Sequence, residues 1–537
     1  MGNEKHPSLI LTNGRFLTMN PAEPEVTAVA IRDGRIMVTG SDDDVKPLMA
    51  QGGEQVDLGG RFVTPGLVDA HVHFQHFALS LQAIDLEGVE SRAAALERVA
   101  TFAMEHPGTG WLRGRGWSQD TWPDRAFPTA ADLDAIVPDR PVCLSHKSGH
   151  AAWVNTPALR LARINETTAD PPGGQIQRDA TGRPTGILFE DAIDLVATHI
   201  PRPSTAEIAA AMRRAQEHCW SVGLTGVHDF DGRDCFVALQ MLRETGELGL
   251  RVVKNIPVYR LEFALGIGLR SGFGDEWLRI GGVKIFADGA LGSRTAAMIA
   301  PYEGEPDNLG IVVTDAEEML DKARQASAGG LSLTVHAIGD RANHDVLNVY
   351  QFLRREENAQ GRPRLRHRIE HVQILHPDDI QRLASLDIIA SMQPTHATSD
   401  MDMADRYWGS RAQYSYAWRT LWDSGALVVF GSDAPVERID PLPGIHAAVT
   451  RRRASGYPGE RGWRPEERLT LEQTLYAFTT AAAITAGQET HQGAISAGKL
   501  ADLTVFEQDL RSTPPDEWLN SGIAGTIVDG VFRHRTF

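Results

Sequence analysis

The sequence predicts an α/β fold: a (β/α)8 TIM-like barrel, a small β-sandwich domain built from both chain ends, and a domain inserted after the first barrel strand. Three observations favour it. Eight short β-rich runs lie between residues 67 and 432, several of them separated by helical segments. Both chain ends consist of short strand-like segments with Gly-containing turns. The gap between the first and second runs is too long for one connection. An open doubly wound sheet is the structural alternative, which composition does not exclude.

The two chain ends share the alternating pattern of β-strands. Turns are indicated at Asn13-Gly14 and Asp33-Gly34 near the start and at Asp529-Gly530 near the end. Neither piece is long enough to bury a core by itself. We therefore expect residues 1–65 and 485–537 to form one composite β-sandwich domain.

The barrel is predicted over residues 66–484. Its β-rich runs lie near residues 67–74, 224–230, 251–258, 281–287, 331–336, 368–373, 387–392 and 426–432. Segments such as DAEEMLDKARQASAG and HPDDIQRLASL have helical periodicity and supply the connectors.

Residues 75–205 are predicted to form an inserted, lid-like domain. The segment is rich in Trp, Pro and Gly and contains its own strand-like run, PVCLSHK. If that run were a barrel strand instead, every later strand number would shift by one.

Composition excludes several classes of protein. The 537 residues contain 53 Lys and Arg against 70 Asp and Glu, a net charge of −17, which argues against nucleic acid or anionic lipid as the main partner. The three cysteines form no CxxC pair, so neither a disulfide framework nor a Cys-rich zinc site is indicated. No signal peptide and no apolar run of about 18 residues is apparent, so we expect a cytoplasmic protein that does not enter a membrane.

Two polar features within β-rich runs point to chemistry. His71 and His73 are two residues apart on a strand, so their side chains project from the same face. They are either two metal ligands or two structural histidines. Lys284 lies in an apolar run. Its stem could reach the surface, or burial could leave the amine neutral and able to take up CO2 as a carbamate that bridges two metals.

Three further runs end in residues able to bind a metal. They end at His336, His371 and Asp433. A single histidine near a strand end is more often packed or hydrogen-bonded. In a barrel, however, the carboxyl ends of all strands converge on one face, so these residues would meet His71 and His73 there.

The motifs PGLVDAHVHF, VKIFADGALGSRT, TVHAIGD, RIEHVQ and GSDAPV resemble those of the amidohydrolase superfamily. More narrowly they resemble its YtcJ-like branch (amidohydrolase family 3), which includes N-substituted formamide deformylases. SGHAAWVNTPAL resembles the inserted domain of that branch, and GAISAGKLADLTVF its C-terminal sheet strand. The similarity covers nearly the whole chain.

The resemblance implies a ligand set of six residues: His71, His73, Lys284, His336, His371 and Asp433. The first two histidines and the aspartate would bind the more buried ion and the other two histidines a second one. The lysine, carboxylated, would bridge them, and a mononuclear site would use a subset. Zinc is the expected metal, with iron, manganese or cobalt as alternatives.

The implied reaction is hydrolysis of a non-peptide C–N bond in an amide or N-substituted formamide by metal-bound hydroxide, with Asp433 as the catalytic acid and base. The expected substrate is a small N-substituted amide with an apolar or aromatic group. Hydrolysis of an ester, lactone or carbamate at the same centre is the alternative, as is a metal-binding barrel without catalysis. A homodimer is one assembly that the sequence leaves open.

Candidate substrate contacts are His150, Trp117 and Trp153 in the insert, His228 at the end of the second run, and Arg294 after the Lys284 run. The tryptophans could equally form the core of the insert, and Arg294 a loop ion pair.

His367-Arg368-Ile369-Glu370-His371 also matches the metalloprotease pattern H-x-x-E-H. That chemistry needs a helix, and this segment has the pattern of a strand. Strand alternation would place His367 and His371 on one face and point Glu370 away from it.

Overall fold

The computed structural model describes residues 6–148 and 150–537. The chain forms two compact units, one made of the residues up to Phe77 together with Met212–Phe537, the other of Ala78–Ala211. The predicted fold class is confirmed: a (β/α)8 barrel, a β-sandwich from both chain ends, and a domain inserted after the first barrel strand.

Eight parallel strands form the barrel in chain order. They are β1 (Leu67–Val72), β2 (Leu224–Asp229), β3 (Arg251–Pro257), β4 (Leu278–Phe286), β5 (Leu333–Ala337), β6 (Arg368–His371), β7 (Ile389–Met392) and β8 (Val428–Phe430). The segment after β8 joins β1, because the N–H of Asp433 donates to the His71 carbonyl at 2.7 Å and the N–H of His73 to the Ala434 carbonyl at 2.8 Å. These two hydrogen bonds close the barrel at the carboxyl ends of its strands.

Helices connect the barrel strands. They are Phe74–Ser80, Thr205–Ser221, Arg233–Glu244, Leu261–Gly266, Ala316–Ala328, Asp340–Ala359, Ile380–Ser385, Pro394–Trp408, Trp418–Asp423, Pro441–Thr450, Leu471–Phe478 and Thr480–Ala486, with 3-10 turns at Val258–Arg260, Pro377–Asp379, Gly409–Tyr414 and Pro465–Glu467. Local sequence sets their starts. Asp315, for example, accepts from the N–H groups of Glu317 and Glu318 and caps Ala316–Ala328.

The chain ends meet in two sheets. One contains Leu9–Thr12, Ala28–Arg32, Arg35–Gly40 and Glu54–Asp57; the other contains Arg15–Leu17, Glu25–Val26, Phe62–Pro65, Leu503–Phe506, Ile523–Val528 and Val531–Arg535. Short helices lie at Asp42–Met49 and Pro515–Trp518. Phe62–Pro65 pairs antiparallel with Leu503–Phe506. Phe16 and Ile31 share one apolar core with Leu503 and Ile527, so each end supplies the burial that the other needs.

The inserted unit has its own six-stranded sheet. Its strands are Ile84–Asp85, Leu112–Trp117, Val142–His146, Ala151–Val154, Gly174–Arg178 and Pro184–Glu190; its helices are Arg92–Glu105, Ala130–Asp134, Thr156–Leu161 and Asp194–Ala197, with 3-10 turns at Gln119–Thr121 and Asp191–Ile193. The PVCLSHK run belongs to this sheet, so the barrel numbering does not shift. Within the described ranges 6–148 and 150–537, every helix is too short or too polar to cross a membrane.

Candidate metal centre

The histidines predicted from separate strand ends lie together. The imidazole centroid of His71 is 5.9 Å from that of His73 and 4.9 Å from that of His371. The ring of His336 lies 4.6 Å from that of His371. The rings that end β1, β5 and β6 therefore form one cluster at the carboxyl end of the barrel.

Asp433 faces two of these rings. Its Oδ1 lies 3.5 Å from His71 Nε2 and 3.6 Å from His73 Nε2. Two ligand atoms on a tetrahedral zinc ion are about 3.3 Å apart, since the bonds are about 2.0–2.1 Å long. His71 Nε2 is buried and has no hydrogen-bond partner. Three donors at this separation, one of them unpartnered, fit a bound divalent cation.

The backbone around Asp433 is specialised for this position. Asp433 has φ +62°, a conformation uncommon outside glycine. A Cβ at Gly431 would lie 2.5 Å from the backbone nitrogen of His71, so only glycine allows this close approach. Asp69 Oδ1 accepts from the N–H groups of His71 (3.0 Å) and Ser432 (2.9 Å). Asp69 thus joins β1 to the Asp433 segment rather than contacting an imidazole.

The imidazoles are oriented by partners on their other nitrogens. His71 Nδ1 lies 2.7 Å from Glu370 Oε2, and His73 Nδ1 lies 3.0 Å from Asp231 Oδ1. A ring that donates from Nδ1 to a carboxylate keeps Nε2 as its lone-pair donor. Both Nε2 atoms are those that face Asp433.

The second pair of histidines is oriented in a similar way. His371 Nδ1 lies 2.8 Å from Gln393 Oε1, which leaves its Nε2 as the available donor. His336 Nε2 lies 2.9 Å from the carbonyl oxygen of Gly289, which leaves its Nδ1. Neighbours therefore fix the tautomer of each ring.

Burial keeps the imidazoles of His71, His336 and His371 neutral. It lowers the pKa of His336 to about 3, and the positive charge of Lys284 adds to the effect. The pKa values of His71 and His371 are also well below the ordinary range, first because of burial. Neutral imidazole is the form that binds metals.

Lys284 projects from β4 into the buried interior of the barrel, beside two aromatic rings. Burial lowers the pKa of its ammonium to about 8. Its Nζ lies 4.6 Å from the ring centroid of Phe230 and 4.8 Å from that of Phe286. No carboxylate of the described residues lies within ion-pair distance of it. With a pKa of about 8, about a tenth of the amine is neutral at pH 7.

Sequence reasoning missed four residues of the centre: Glu370, Asp231, Phe230 and His396. The Phe230 ring stacks on His71 with centroids 4.0 Å apart. His396 Nε2 is buried, lacks a hydrogen-bond partner and lies 3.9 Å from Asp433 Oδ2. With His371 and Asp433 it forms a second group of donors able to hold an ion. Its position just after β7 was the available signal.

The prediction that His367 and His371 share a face was wrong. His367 packs away from the centre, with its Nε2 3.1 Å from Glu357 Oε1, whereas Glu370 reaches His71. His371 nevertheless joins the centre, because φ is +76° there and +45° at Val372. Regular strand alternation ends at that point.

The insert tryptophans lie in a packed core. Trp117 and Trp153 have no exposed area, and their Nε1 atoms donate to the carbonyls of Leu144 and Thr129, each at 2.8 Å. A ring without exposed surface has no face to offer a ligand, so the assignment of both to substrate contact is corrected to the core of the insert. His150 is exposed and pairs with Glu190 at 2.9 Å.

The other two candidate contacts have protein partners. Arg294 forms a 2.7 Å ion pair with Glu305 in its loop. His228 is buried in the barrel interior, and Arg368 Nη1 lies 3.1 Å from its Nδ1. Burial and the Arg368 charge lower the pKa of His228 to about 3.

A (β/α)8 barrel with histidine and aspartate donors at the carboxyl ends of its strands is an arrangement that suits a metal-dependent hydrolase. The chain belongs to the amidohydrolase family, whose profile matches residues 54–534.

Relatives match over nearly the full length. The chain is 34% identical to Protein LONG AFTER FAR-RED 3 of Arabidopsis thaliana, over 97% of this chain and 91% of that protein. It is 33% identical to the putative amidohydrolase YtcJ of Bacillus subtilis, over 96% and 97%. It is 28% identical to the N-substituted formamide deformylase of Arthrobacter pascens, over 98% of each. The predicted resemblance to the YtcJ-like branch is confirmed.

A solved structure shares the fold. The crystal structure of an uncharacterized metal-dependent hydrolase from Pyrococcus horikoshii superposes with a TM-score of 0.77 at 28% identity, covering 94% of this chain and 99% of that one.

Proposed function

We propose that the protein is a metal-dependent amidohydrolase that hydrolyses a non-peptide C–N bond in a small N-substituted amide or formamide. The observation that supports this most directly is the placement of Asp433 Oδ1 between the Nε2 atoms of His71 and His73. The similarity to a formamide deformylase over 98% of the chain supports the choice of bond.

The proposed ligands are His71, His73 and Asp433 for one divalent cation, and His336 and His371 for a second. A bound cation supplies Lewis-acid polarisation of the scissile carbonyl and activation of water. Histidine and carboxylate donors suit zinc, with iron, manganese and cobalt as alternatives. Glu370 and Asp231 hold the first two rings with Nε2 available.

Asp433 is the proposed proton carrier. Burial raises the pKa of its carboxyl, which makes the carboxylate a stronger base than an exposed aspartate. It takes a proton from the attacking water and delivers it to the leaving nitrogen, so the amine departs neutral. Its φ of +62° and the hydrogen bond from its N–H to His71 hold the carboxylate at the centre.

Lys284 is the proposed bridge. Its neutral amine would add to CO2 and lose a proton, which gives a carbamate whose single negative charge is shared by two oxygen donors. Burial, which lowers the pKa of the ammonium to about 8, increases the fraction of neutral amine that can react with CO2.

The test combines metal analysis with a substrate panel. We expect one or two transition metals per chain by mass spectrometry, and release of an amine from N-alkyl or N-aryl formamides and amides. Turnover of esters or lactones without any amide would reject the proposed bond. A fully metallated protein inactive on the entire panel would favour a binding function instead.

A further inference from the structure

A cavity lies at the end of the barrel opposite the metal centre. It has a volume of about 250 Å³, is lined by Gly281, Ser332 and Arg366 near the amino ends of β4, β5 and β6, and extends inward to His228 and Arg368. In barrels of this kind the catalytic site lies at the carboxyl ends of the strands. The proposed reaction therefore gives no reason for a cavity here.

The lining of this cavity is strongly basic. Its charged residues are Arg279, Arg364, Arg366 and Arg368, and none of the described residues that line it is acidic. The whole chain has a net charge of −17, so this concentration of positive charge is unusual within the molecule. A concave basic surface attracts anions.

Two of the four guanidinium groups already have carboxylate partners. Arg366 pairs with Glu489 at 2.5 Å, and Arg368 pairs with Glu370. Arg279 and Arg364 have no ion-pair partner within the described part of the chain. The neighbour of Arg279 is the neutral amide of Gln488, whose oxygen can accept from Nε and Nη2 at 2.9 Å. Neither guanidinium group therefore has a carboxylate of the described residues at ion-pair distance, although Asp275 and Glu276 act on Arg279 at longer range.

An independent feature also indicates a ligand. Thr334 lines the cavity and is only 2% exposed, yet its Oγ1 has no hydrogen-bond partner. The neighbouring hydroxyl of Ser271 is paired, since it donates to the Gly281 carbonyl at 2.6 Å and accepts from the N–H of Ser332 at 2.8 Å. A buried hydroxyl without a partner is costly unless a ligand or water uses it. The Thr334 hydroxyl can donate to an anionic oxygen in the cavity.

We propose that this cavity is a binding site for a small oxyanion of the phosphate type, either free phosphate or the phosphate group of a small metabolite. Arg279 and Arg364 supply the charge, and Thr334 donates a hydrogen bond. Arg364 and Gly487 are exposed at the rim, so the ligand can enter from solvent without passing through the catalytic centre. The fork of a guanidinium group matches the geometry of phosphate oxygens.

The test is titration of the metal-loaded protein with inorganic phosphate by calorimetry in chloride buffer. We expect one saturable site per chain. Arg279→Met and Arg364→Met should each weaken binding roughly tenfold or more, because a charged hydrogen bond is lost. Thr334→Val should weaken it severalfold without loss of thermal stability. The matched control is Arg213→Met, which removes an exposed arginine that pairs with Glu247 at 2.8 Å on an outer helix.

Phosphate can also bind metals, so the metal-free protein prepared with a chelator is titrated in parallel. Binding that survives removal of the metal and is lost in the arginine variants supports the proposal. Binding that is lost with the metal and intact in the arginine variants overturns it, as does the lack of saturable binding to the wild type. Glycerol 3-phosphate is the third ligand: tighter binding than phosphate identifies a phosphorylated metabolite as the occupant, and weaker binding identifies the free ion.

Discussion

Glu370 joins a buried arginine to a predicted metal ligand, and its replacement by glutamine gives a two-part prediction. The carboxylate contacts Arg368 through Oε1 and lies 2.7 Å from His71 Nδ1 through Oε2. Glu370→Gln leaves the Arg368 charge buried without a counter-charge, a change that typically costs about 3–5 kcal/mol of folding free energy. It also removes the carboxylate that orients His71, which typically weakens metal binding roughly 10- to 100-fold.

The barrel contains a matched control for this experiment. Glu357 is equally buried and contacts one arginine and one histidine, Arg354 at 2.7 Å and His367 at 3.1 Å, but His367 faces away from the metal centre. Glu357→Gln should therefore destabilise the fold to a similar extent while metal affinity stays unchanged.

The two effects are measured separately. Chelator competition gives the metal dissociation constant, and denaturant unfolding of the metal-free protein gives the stability. The reasoning would be refuted if Glu370→Gln bound metal as tightly as the wild type. Equal losses of metal affinity in both variants would refute it too, since affinity would then follow general stability.

Three further predictions concern the centre. Asp433→Asn should abolish amide turnover while much of the metal stays bound, because the amide cannot accept the proton; wild-type turnover in a steady-state assay would exclude the catalytic role. Lys284→Ala should lower the metal count per chain, with partial recovery on addition of a short carboxylate; an unchanged count by elemental analysis would remove Lys284 as the bridge. Dialysis against a chelator should lower the melting temperature, and zinc should restore it, since a ligand at about a thousand times its dissociation constant stabilises by about 4 kcal/mol. A melting curve unaffected by either treatment would show that the folded barrel binds no metal.

The barrel and the positions of the predicted donors could be derived from sequence because both depend on short-range pattern. His71, His336 and Asp433 end apolar runs, and parallel strands bring such ends together. The partners of these residues depend on backbone details that no periodicity encodes. His371 does not share the face of His367, as alternation predicted, because its positive φ interrupts the strand pattern.

His396 was missed for a different reason. It lies in the first turn of the helix Pro394–Trp408, outside the β-rich run that indicated the strand.

The burial of Trp117 and Trp153 was one of two alternatives that the sequence left open, since tryptophans have the same sequence pattern in a core and in a pocket wall.

The composite β-sandwich constrains the order in which this protein can fold during synthesis. The N–H of Leu67 donates to the hydroxyl of Thr504, a partner 437 positions later. While the chain emerges from the ribosome, Phe62–Pro65 therefore lacks one of its neighbouring strands until almost all of the protein has been made. A prematurely terminated chain would expose that strand edge and its apolar face, which makes truncated products of this protein natural candidates for aggregation and for capture by chaperones.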